Sequence, residues 1–392
     1  MDISVLLEPV SLDVIDEAHL SEEGQIGNNI LIYREEDRFP NLKDIDIALV
    51  GVPEDRNSYD NEGCSEGPDK IRTAFYQLFN HWNTMKITDI GNVKRGHRVE
   101  DTYYALNQVI LTLMRHHITP IILGGSQDLT LPIYQVYEHT GKLVNISTID
   151  PRFDIGKDDE ELNSRSYLSH IIMHQPNYLF NYTNIGYQTY YVDNKHIKLM
   201  KDLLFDIHRV GEIKSRINTS EPLLRNADIL SIDISAFKAS DAPGVKNSSP
   251  NGFSGEEGCK MTRYAGLNSK LSLISFFEYN PRYDCNSLTA NMIAQMIWYF
   301  VEGFSNRKED YPNDTNSENF RRYIVKIDGQ NDELVFLCHK LTEKWWIDLS
   351  FRSKGREQFE RHHFIPCSKE DYDTAMHNDI PDTWWQYYQK LM

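Results

Sequence analysis

Four polar clusters in this chain each follow a short apolar run, and this repeated arrangement restricts the fold more than any other feature of the sequence. The apolar runs cover residues 120–123, 143–149, 227–230 and 271–277. Runs of this length and character are typical of buried strands. Ligands collect outside the carboxyl ends of parallel strands, so we expect the four clusters to converge on one crevice. The sequence therefore predicts an α/β fold with a central parallel sheet.

The residues within the clusters narrow the prediction further. In chain order they read GGSQD at 124–128, DPRFD at 150–154, SIDIS at 231–235 and a single glutamate at 278. This order and spacing resembles the arginase, agmatinase and formimidoylglutamase family, whose signatures run GGDHS, DAHxD, SxDxDxxDP and a later glutamate. Further landmarks agree at 51–53, 67–68, 89–93, 184–187, 242–244 and 252–254. The resemblance covers about residues 45–305 and implies a three-layer fold of the arginase and deacetylase type.

The resemblance also implies a metal site, of which this chain retains half. In the family, two manganese ions share six protein ligands. The retained acids are Asp150, Asp154 and Asp233. The replacements are Gln127 and Arg152 for two histidines and Ser235 for the last aspartate. A reshaped loop that presents Asp128 in place of Gln127 is the less favoured alternative, because neighbouring positions of a tight turn point in different directions.

Most of the replaced ligands belong, in the family, to only one of the two ions, which we call the second. Arg152 and Ser235 occupy the positions of the ligands that bind only this second ion. A guanidinium cannot replace such a ligand, because it has no lone pair to donate. We expect Arg152 to pair with the carboxylates that would otherwise bridge two metals. The first site keeps three carboxylates and the amide oxygen of Gln127, an all-oxygen set that suits magnesium, calcium or manganese better than zinc. We predict at most one divalent cation, manganese or magnesium. The alternative is a metal-free ion-pair network that holds the strand ends together.

Two further residues match positions that face the substrate in the family. Glu278 corresponds to the acid that meets a cationic substrate, and His170 lies where a proton-shuttling histidine is expected, with a packed helical histidine as the equal alternative. The family's nucleophile is a hydroxide between two metals, and a single ion beside Arg152 generates it poorly. We therefore predict a non-catalytic or single-metal protein that serves as a scaffold, assembly or ligand-binding protein. The alternative is an active metal-dependent hydrolase of C–N bonds in guanidino or formimino compounds.

Composition excludes several classes of partner and site. The formal net charge of −17 argues against nucleic acid or an anionic membrane surface. No stretch approaches the length of a membrane span, and residues 1–20 lack the apolar segment of a signal peptide. The five cysteines are widely spaced and contain no CxxC pair, which indicates neither zinc nor a disulfide framework. We expect a cytoplasmic protein.

The chain divides into three parts on this interpretation. Residues 1–44 form an N-terminal extension, residues 45–305 form the α/β domain, and residues 306–392 form a linker and a C-terminal extension. The segment 305–319 is rich in polar residues and is typical of a linker or long loop. Alternating apolar runs then predict a small antiparallel β-meander at 323–327, 333–339 and 344–351.

Aromatic residues are concentrated in the C-terminal extension. The six that we single out are Trp345, Trp346, Trp384, Trp385, Tyr387 and Tyr388. Such residues bury a large area with few rotatable bonds, so they serve equally in interfaces and in small cores. We expect packing within the extension, with a protein-partner interface as the alternative. Members of the family often form homo-oligomers, but the two extensions can block those contacts, so the oligomeric state stays open.

Overall fold

The computed structural model describes residues 2–35, 37–82, 84–157, 159–313, 317–329, 332–351 and 357–391. Residues 314–316 of the predicted linker therefore lie outside the described residues. Within the described chain, no helix combines the length and the apolar character needed to cross a bilayer.

A large sheet of ten strands forms the centre of the molecule. Its strands are β1 (Leu7–Glu8), β2 (Leu31–Ile32), β3 (Ile47–Val52), β4 (Ile87–Val93), β5 (Thr119–Gly124), β6 (Val144–Ile149), β7 (Leu179–Tyr187), β8 (Asp206–Arg209), β9 (Ile229–Asp233) and β10 (Leu273–Phe277). Their order is β1-β4-β3-β5-β10-β9-β6-β7-β8, and β2 also pairs with β4. The pairings are parallel apart from that of β1 with β4. The predicted parallel sheet is confirmed.

Helices cover both faces of this sheet. They are α1 (Leu12–Glu17), α2 (Ile26–Asn29), α3 (Gly67–Tyr76), α4 (Val99–Arg115), α5 (Thr130–Gln135), α6 (Tyr167–Met173), α7 (Asn194–Asp202), α8 (Val210–Ser215), α9 (Ser220–Arg225), α10 (Gly255–Gly266) and α11 (Leu288–Ser305). Two more helices, α12 (Lys369–Met376) and α13 (Asp382–Lys390), belong to the core of the C-terminal extension.

One apolar core lies on each face of the sheet, between the sheet and the helices. Both faces contribute to a core because successive residues of a strand point to opposite sides. In β3, Leu49 belongs to the core shared with α3, α10 and α11, whereas Val50 belongs to the core shared with α4, α5 and α6. Both residues are fully buried. This arrangement gives three layers and confirms the predicted architecture.

The N-terminal extension contributes to the same sheet. β1 pairs with β4 through Leu7 and Val93, and β2 pairs with β4 through Leu31 and Thr88. These residues therefore continue the edge of the large sheet.

A second, smaller sheet lies in the C-terminal extension. Its strands are β11 (Phe320–Val325), β12 (Leu334–His339), β13 (Trp345–Asp348) and β14 (Phe364–Cys367), paired antiparallel in chain order. The predicted meander is confirmed and contains one strand more than expected.

Most of the six singled-out aromatic residues pack inside the chain. Trp346 and Trp384 are fully buried, and Tyr387 and Tyr388 are also buried, whereas Trp385 is 44% exposed. The Tyr387 hydroxyl accepts hydrogen bonds from Asn181 and Asn226 of the α/β domain, at 2.9 and 2.8 Å. The extension is thus attached to the domain by its aromatic residues, and an interface with another protein stays a prediction.

Candidate metal centre

Three carboxylates meet at the carboxyl edge of the large sheet. Asp150 directly follows β6, and Asp233 is the last residue of β9, the strand next to β6. Asp154 comes four residues after Asp150. One oxygen from each carboxylate lies within 4.8 Å of the others, and all three side chains are buried. The convergence follows from the topology, because neighbouring parallel strands end at the same edge.

Local hydrogen bonds fix the orientation of two of these acids. Asp150 Oδ1 accepts the backbone N–H of Arg152 at 2.7 Å. Asp233 Oδ1 accepts the backbone N–H of Ser235 at 2.7 Å, and Asp233 Oδ2 accepts the Ser235 hydroxyl at the same distance. Asp154 has a positive φ of 50°, an uncommon conformation for a residue other than glycine. The turns after β6 and β9 therefore hold the acids in place.

Burial makes the cluster difficult to ionise without a cation. Burial and the neighbouring charges of Asp154 and Asp233 raise the pKa of Asp150 well above its usual range. Burial also raises the pKa of Asp154 to about 6 and raises that of Asp233, against the effect of the Ser235 hydrogen bonds. Like charges at such short range disfavour one another in a buried site. The cluster is therefore suited to a bound positive charge.

Two buried oxygen atoms at this edge of the sheet have no hydrogen-bond partner among the described residues. They are Asp150 Oδ2 and Gln127 Oε1. Gln127 Nε2 donates to the Ser231 hydroxyl at 3.1 Å and to the Tyr167 hydroxyl at 3.5 Å, which leaves Oε1 as the unused atom of that amide. Buried acceptors without partners are costly, and coordination of a cation removes the cost.

The space at the cluster suits one ion. A cavity of about 20 Å³, the inner cavity, is lined by Asp154, Asp233 and Glu278. About 10–15 Å³ is enough for one water-sized occupant. It adjoins a wider opening of about 740 Å³, the outer cleft, and Arg152 and Asp154 line both. Asp154 and Asp233 line this cavity, and Asp150 belongs to the same cluster, so the carboxylates and the volume fit a single hard cation.

Arg152 does not lie where the sequence led us to expect it. Its guanidinium covers the ring of Tyr191, with Cζ 4.2 Å from the ring centroid. Among the described residues it forms no ion pair with the acid cluster, so the predicted pairing was wrong. The backbone N–H of Arg152 donates to Asp150, while its residue lines both the inner cavity and the outer cleft. Its charge still lowers the pKa values of Asp154 and Asp233 from a distance.

Glu278 lies beside the acid cluster, directly after β10, with a φ of 66°. Its carboxylate accepts the backbone N–H of Gln127 and the side-chain amide of Asn61, both at 2.8 Å. Burial, followed by the charge of Asp233, raises its pKa to about 8. The structure thus brings Glu278 to the candidate site together with Gln127 and the three aspartates.

His170 and Asp128 lie elsewhere. His170 is on α6, with Nε2 3.2 Å from the carbonyl oxygen of Glu160, and the described linings of the inner cavity and outer cleft do not include it. Its role as a proton shuttle stays a prediction. The Asp128 carboxylate accepts hydrogen bonds from the hydroxyls of Ser126 and Tyr103. The Asp128 carboxylate is therefore engaged in its own network, and it is Gln127 that contacts Glu278 and Ser231.

Sequence reasoning missed several residues of the site. Asn61 binds Glu278, and Arg165 and Tyr59 line both the inner cavity and the outer cleft. These residues lie in loops with irregular courses, and no spacing in the sequence connects them with the strand ends. The resemblance therefore gave no indication of their role.

Comparison with known proteins agrees with this architecture. The formimidoylglutamase of Streptococcus gordonii is 25% identical over 290 residues, which are 67% of this chain and 87% of that protein. The formimidoylglutamase of Hahella chejuensis is 26% identical over 278 residues, with coverage of 64% and 83%.

Solved structures show the same fold. The formimidoylglutamase of Bacillus subtilis superposes with a TM-score of 0.65 at 18% identity, covering 76% of this chain and 99% of that one. The formiminoglutamase of Trypanosoma cruzi with Mn²⁺ gives a TM-score of 0.62 at 20% identity, covering 69% and 97%. The model of the Arginase family matches residues 45–302, more than half of the 392 residues. This chain belongs to the arginase family.

Proposed function

We propose that this protein binds one hard divalent cation, manganese or magnesium, through Asp150, Asp154, Asp233 and Gln127, and that the site serves to bind a small ligand. The observation that carries the proposal is the pair of buried, unpartnered oxygens, Asp150 Oδ2 and Gln127 Oε1, at an acid cluster with room for one ion. Because Arg152 lies over Tyr191, the guanidinium does not replace the cation.

The remaining residues favour ligand binding over efficient hydrolysis. Arg152 offers no lone pair, and the Ser235 hydroxyl donates to the Asp233 carboxylate, so a second ion lacks its ligands. When bound, a single cation supplies positive charge that fixes a ligand oxygen or nitrogen. Glu278, held by Asn61 and Gln127, supplies acceptor oxygens for a cationic nitrogen group of the ligand. Together these groups hold one end of a small polar molecule that occupies the outer cleft next to the inner cavity.

The proposal is tested by the metal content of single variants. Protein equilibrated with manganese and desalted should carry one ion per chain by elemental analysis. Asp233→Asn and Gln127→Leu should each lower that occupancy, because each removes an oxygen ligand or its charge. Asp13→Asn, which removes an exposed carboxylate on α1, is the matched control and should keep the ion. Equal occupancy in all four proteins would refute the assignment of the ligands.

The second candidate is hydrolysis of a C–N bond in a formimino or guanidino compound. It is favoured by Glu278, which lines the inner cavity at the position matching the family's substrate-facing acid, and by relatives named formimidoylglutamase. We expect N-formimino-L-glutamate, agmatine and arginine to be turned over slowly or not at all with excess manganese. Release of glutamate well above the rate of Asp233→Asn would establish this second candidate and displace the first.

A further inference from the structure

The C-terminal extension meets the α/β domain around Phe180 and His362, in a contact that we call the seam. Among the described residues, Phe180 of β7 is the only member of the domain that packs against the apolar core of the extension. Its ring stacks on the ring of His362, with centroids 3.9 Å apart and an angle of 26° between the planes. His362 lies in the 3₁₀ turn Glu357–His362 and is only 1% exposed. The imidazole is therefore enclosed between the two parts of the chain.

The charged groups around the His362 ring are cations. Lys270 of the domain and Arg361 and Lys390 of the extension all act on it, and neither ring nitrogen has a hydrogen-bond partner among the described residues. Burial, followed by the charges of Lys270 and Arg361, lowers the pKa of His362 well below its usual range. The carbonyl of Leu143 acts in the opposite direction, but it already accepts Arg361 Nη1 at 3.1 Å. His362 is therefore neutral while the seam is closed.

Two acids also lie at the seam, but other groups engage them. Asp228 accepts a hydrogen bond from the guanidinium of Arg361, and Asp206 accepts one from the hydroxyl of Tyr387 at 3.0 Å. Neither carboxylate is hydrogen-bonded to His362. A proton on His362 would therefore place an unpaired charge in a buried position beside three cations, which is costly.

The seam can open without unfolding the extension, because the extension has an apolar core of its own. That core is built from β11–β14, α12 and α13. Several contacts across to the domain are polar, such as those from Arg225 of α9 to the carbonyl oxygens of Trp345 and Cys367, at 3.0 and 3.1 Å. Water can replace hydrogen bonds of this kind when the two parts separate. Once hydrated, His362 regains an ordinary pKa of about 6.5, so the open state takes up a proton that the closed state excludes.

We infer that His362 is an acid-sensitive switch that controls the docking of the C-terminal extension on the amino-terminal end of the large sheet. Docking is strongest above about pH 6.5 and weakens as the pH falls, because only the open state binds the additional proton. Opening also affects the strands of the acid cluster. Arg361 donates to the residue before β6 and to the residue before β9, the two strands that lead to Asp150 and Asp233. Release of the extension removes this connection between them.

Hydrogen exchange of the full chain, followed by mass spectrometry, tests the switch. After correction for intrinsic exchange rates, the protection of residues 359–363 should fall about thirtyfold between about pH 7.5 and about pH 5, since each opening takes up one proton. A 3₁₀ turn this short loses its protection when it leaves the domain. His362→Phe and His362→Leu cannot titrate and should remove most of the fall. His377→Gln, at an exposed histidine of the same extension, is the matched control and should behave as the unaltered protein does.

The pattern of protection along the chain separates the switch from ordinary acid unfolding. All samples contain chelator, so release of a cation from the acid cluster cannot imitate the effect. The switch predicts that α4 of the domain and β12 of the extension keep their protection at about pH 5, and that residues 359–363 regain theirs when the pH is raised again. An equal loss in α4 or β12, an equal fall in the His362 variants, or no fall in the unaltered protein would each overturn it.

Discussion

The backbone N–H of Gln127 donates a 2.8 Å hydrogen bond to the carboxylate of Glu278, joining two residues that are 151 positions apart in the chain. This bond connects the loop after β5, which presents the amide of Gln127, with the residue that follows β10. β5 and β10 are adjacent in the sheet, so the contact follows from the strand order. A change at Glu278 should therefore affect the position of a metal-ligating residue as well as contacts with a ligand.

Glu278 should make the metal-free protein less stable as the pH rises. Its pKa is raised to about 8 in the folded protein, whereas the pKa of a glutamate in an unfolded chain is about 4.3. Between these values the folded state retains a proton that the unfolded state has lost, so the free energy of unfolding falls with increasing pH. Glu278→Gln removes this titration and should flatten the dependence. Thermal unfolding in the presence of chelator, from about pH 5 to about pH 8, measures this pH dependence for the unaltered protein and for Glu278→Gln. If stability changes with pH in the same way in both, the raised pKa of Glu278 is contradicted.

Metal affinity should show the opposite dependence on pH. Asp154 has a pKa of about 6, and Asp150 and Asp233 are also raised, mainly by burial. A cation must displace the protons of these acids, so affinity for manganese should increase from about pH 5 to about pH 7. Calorimetry in two buffers of different ionisation enthalpy should detect protons released on binding. An affinity independent of pH would show that these acids are not the ligands.

Restoring the family's missing ligands should create a second metal site. The triple variant Gln127→His, Arg152→His and Ser235→Asp returns the donors found at the matching positions, on a backbone whose strands already bring the acids together. Elemental analysis should then find a second manganese ion per chain. A folded triple variant that binds no additional ion would show that the positions have been matched wrongly.

Close packing of α10 on α11 should be sensitive to one methyl group. A Cβ on Gly303 would lie 2.3 Å from the carbonyl oxygen of Arg263, a backbone atom that cannot move aside cheaply. We expect Gly303→Ala to lower the free energy of unfolding by about 1–3 kcal/mol, as overpacking does elsewhere. Gly211→Ala on α8 is the control, because nothing lies within 4 Å of its added Cβ. Urea unfolding compares them; equal loss in both variants would contradict the packing argument.

The regular parts of this fold could be predicted because their sequence signals are local. The residues of β5 and β6 are wholly buried, as the short and mostly apolar runs at 120–123 and 143–149 indicate. β4 was missed as a strand because Asp89 and Asn92 interrupt its apolar pattern. Asp89 is nevertheless buried, where it pairs with Arg72 at 2.8 Å. A long-range ion pair of this kind leaves no periodic signal.

The candidate site was predictable only where strand ends determine it. Asp150 and Asp233 follow directly from the register of β6 and β9. The direction of the Arg152 side chain depends on Tyr191, which lies beyond β7 in a 3₁₀ turn, Thr189–Tyr191. Nothing in the spacing of these residues indicates that the ring competes with the carboxylates for the guanidinium. The structure therefore changed the interpretation of Arg152 while leaving the acid cluster as expected.

Anomalous diffraction from crystals grown with manganese tests the central claim most directly. Data collected near the manganese absorption edge locate each ion independently of any assumption about its ligands. A single anomalous peak between Asp150, Asp154 and Asp233, within bonding distance of Gln127 Oε1, is the predicted result. Two outcomes would contradict a one-cation site. One is a pair of peaks about 3.5–4 Å apart, which is the separation of a dinuclear centre, and the other is no peak at the cluster.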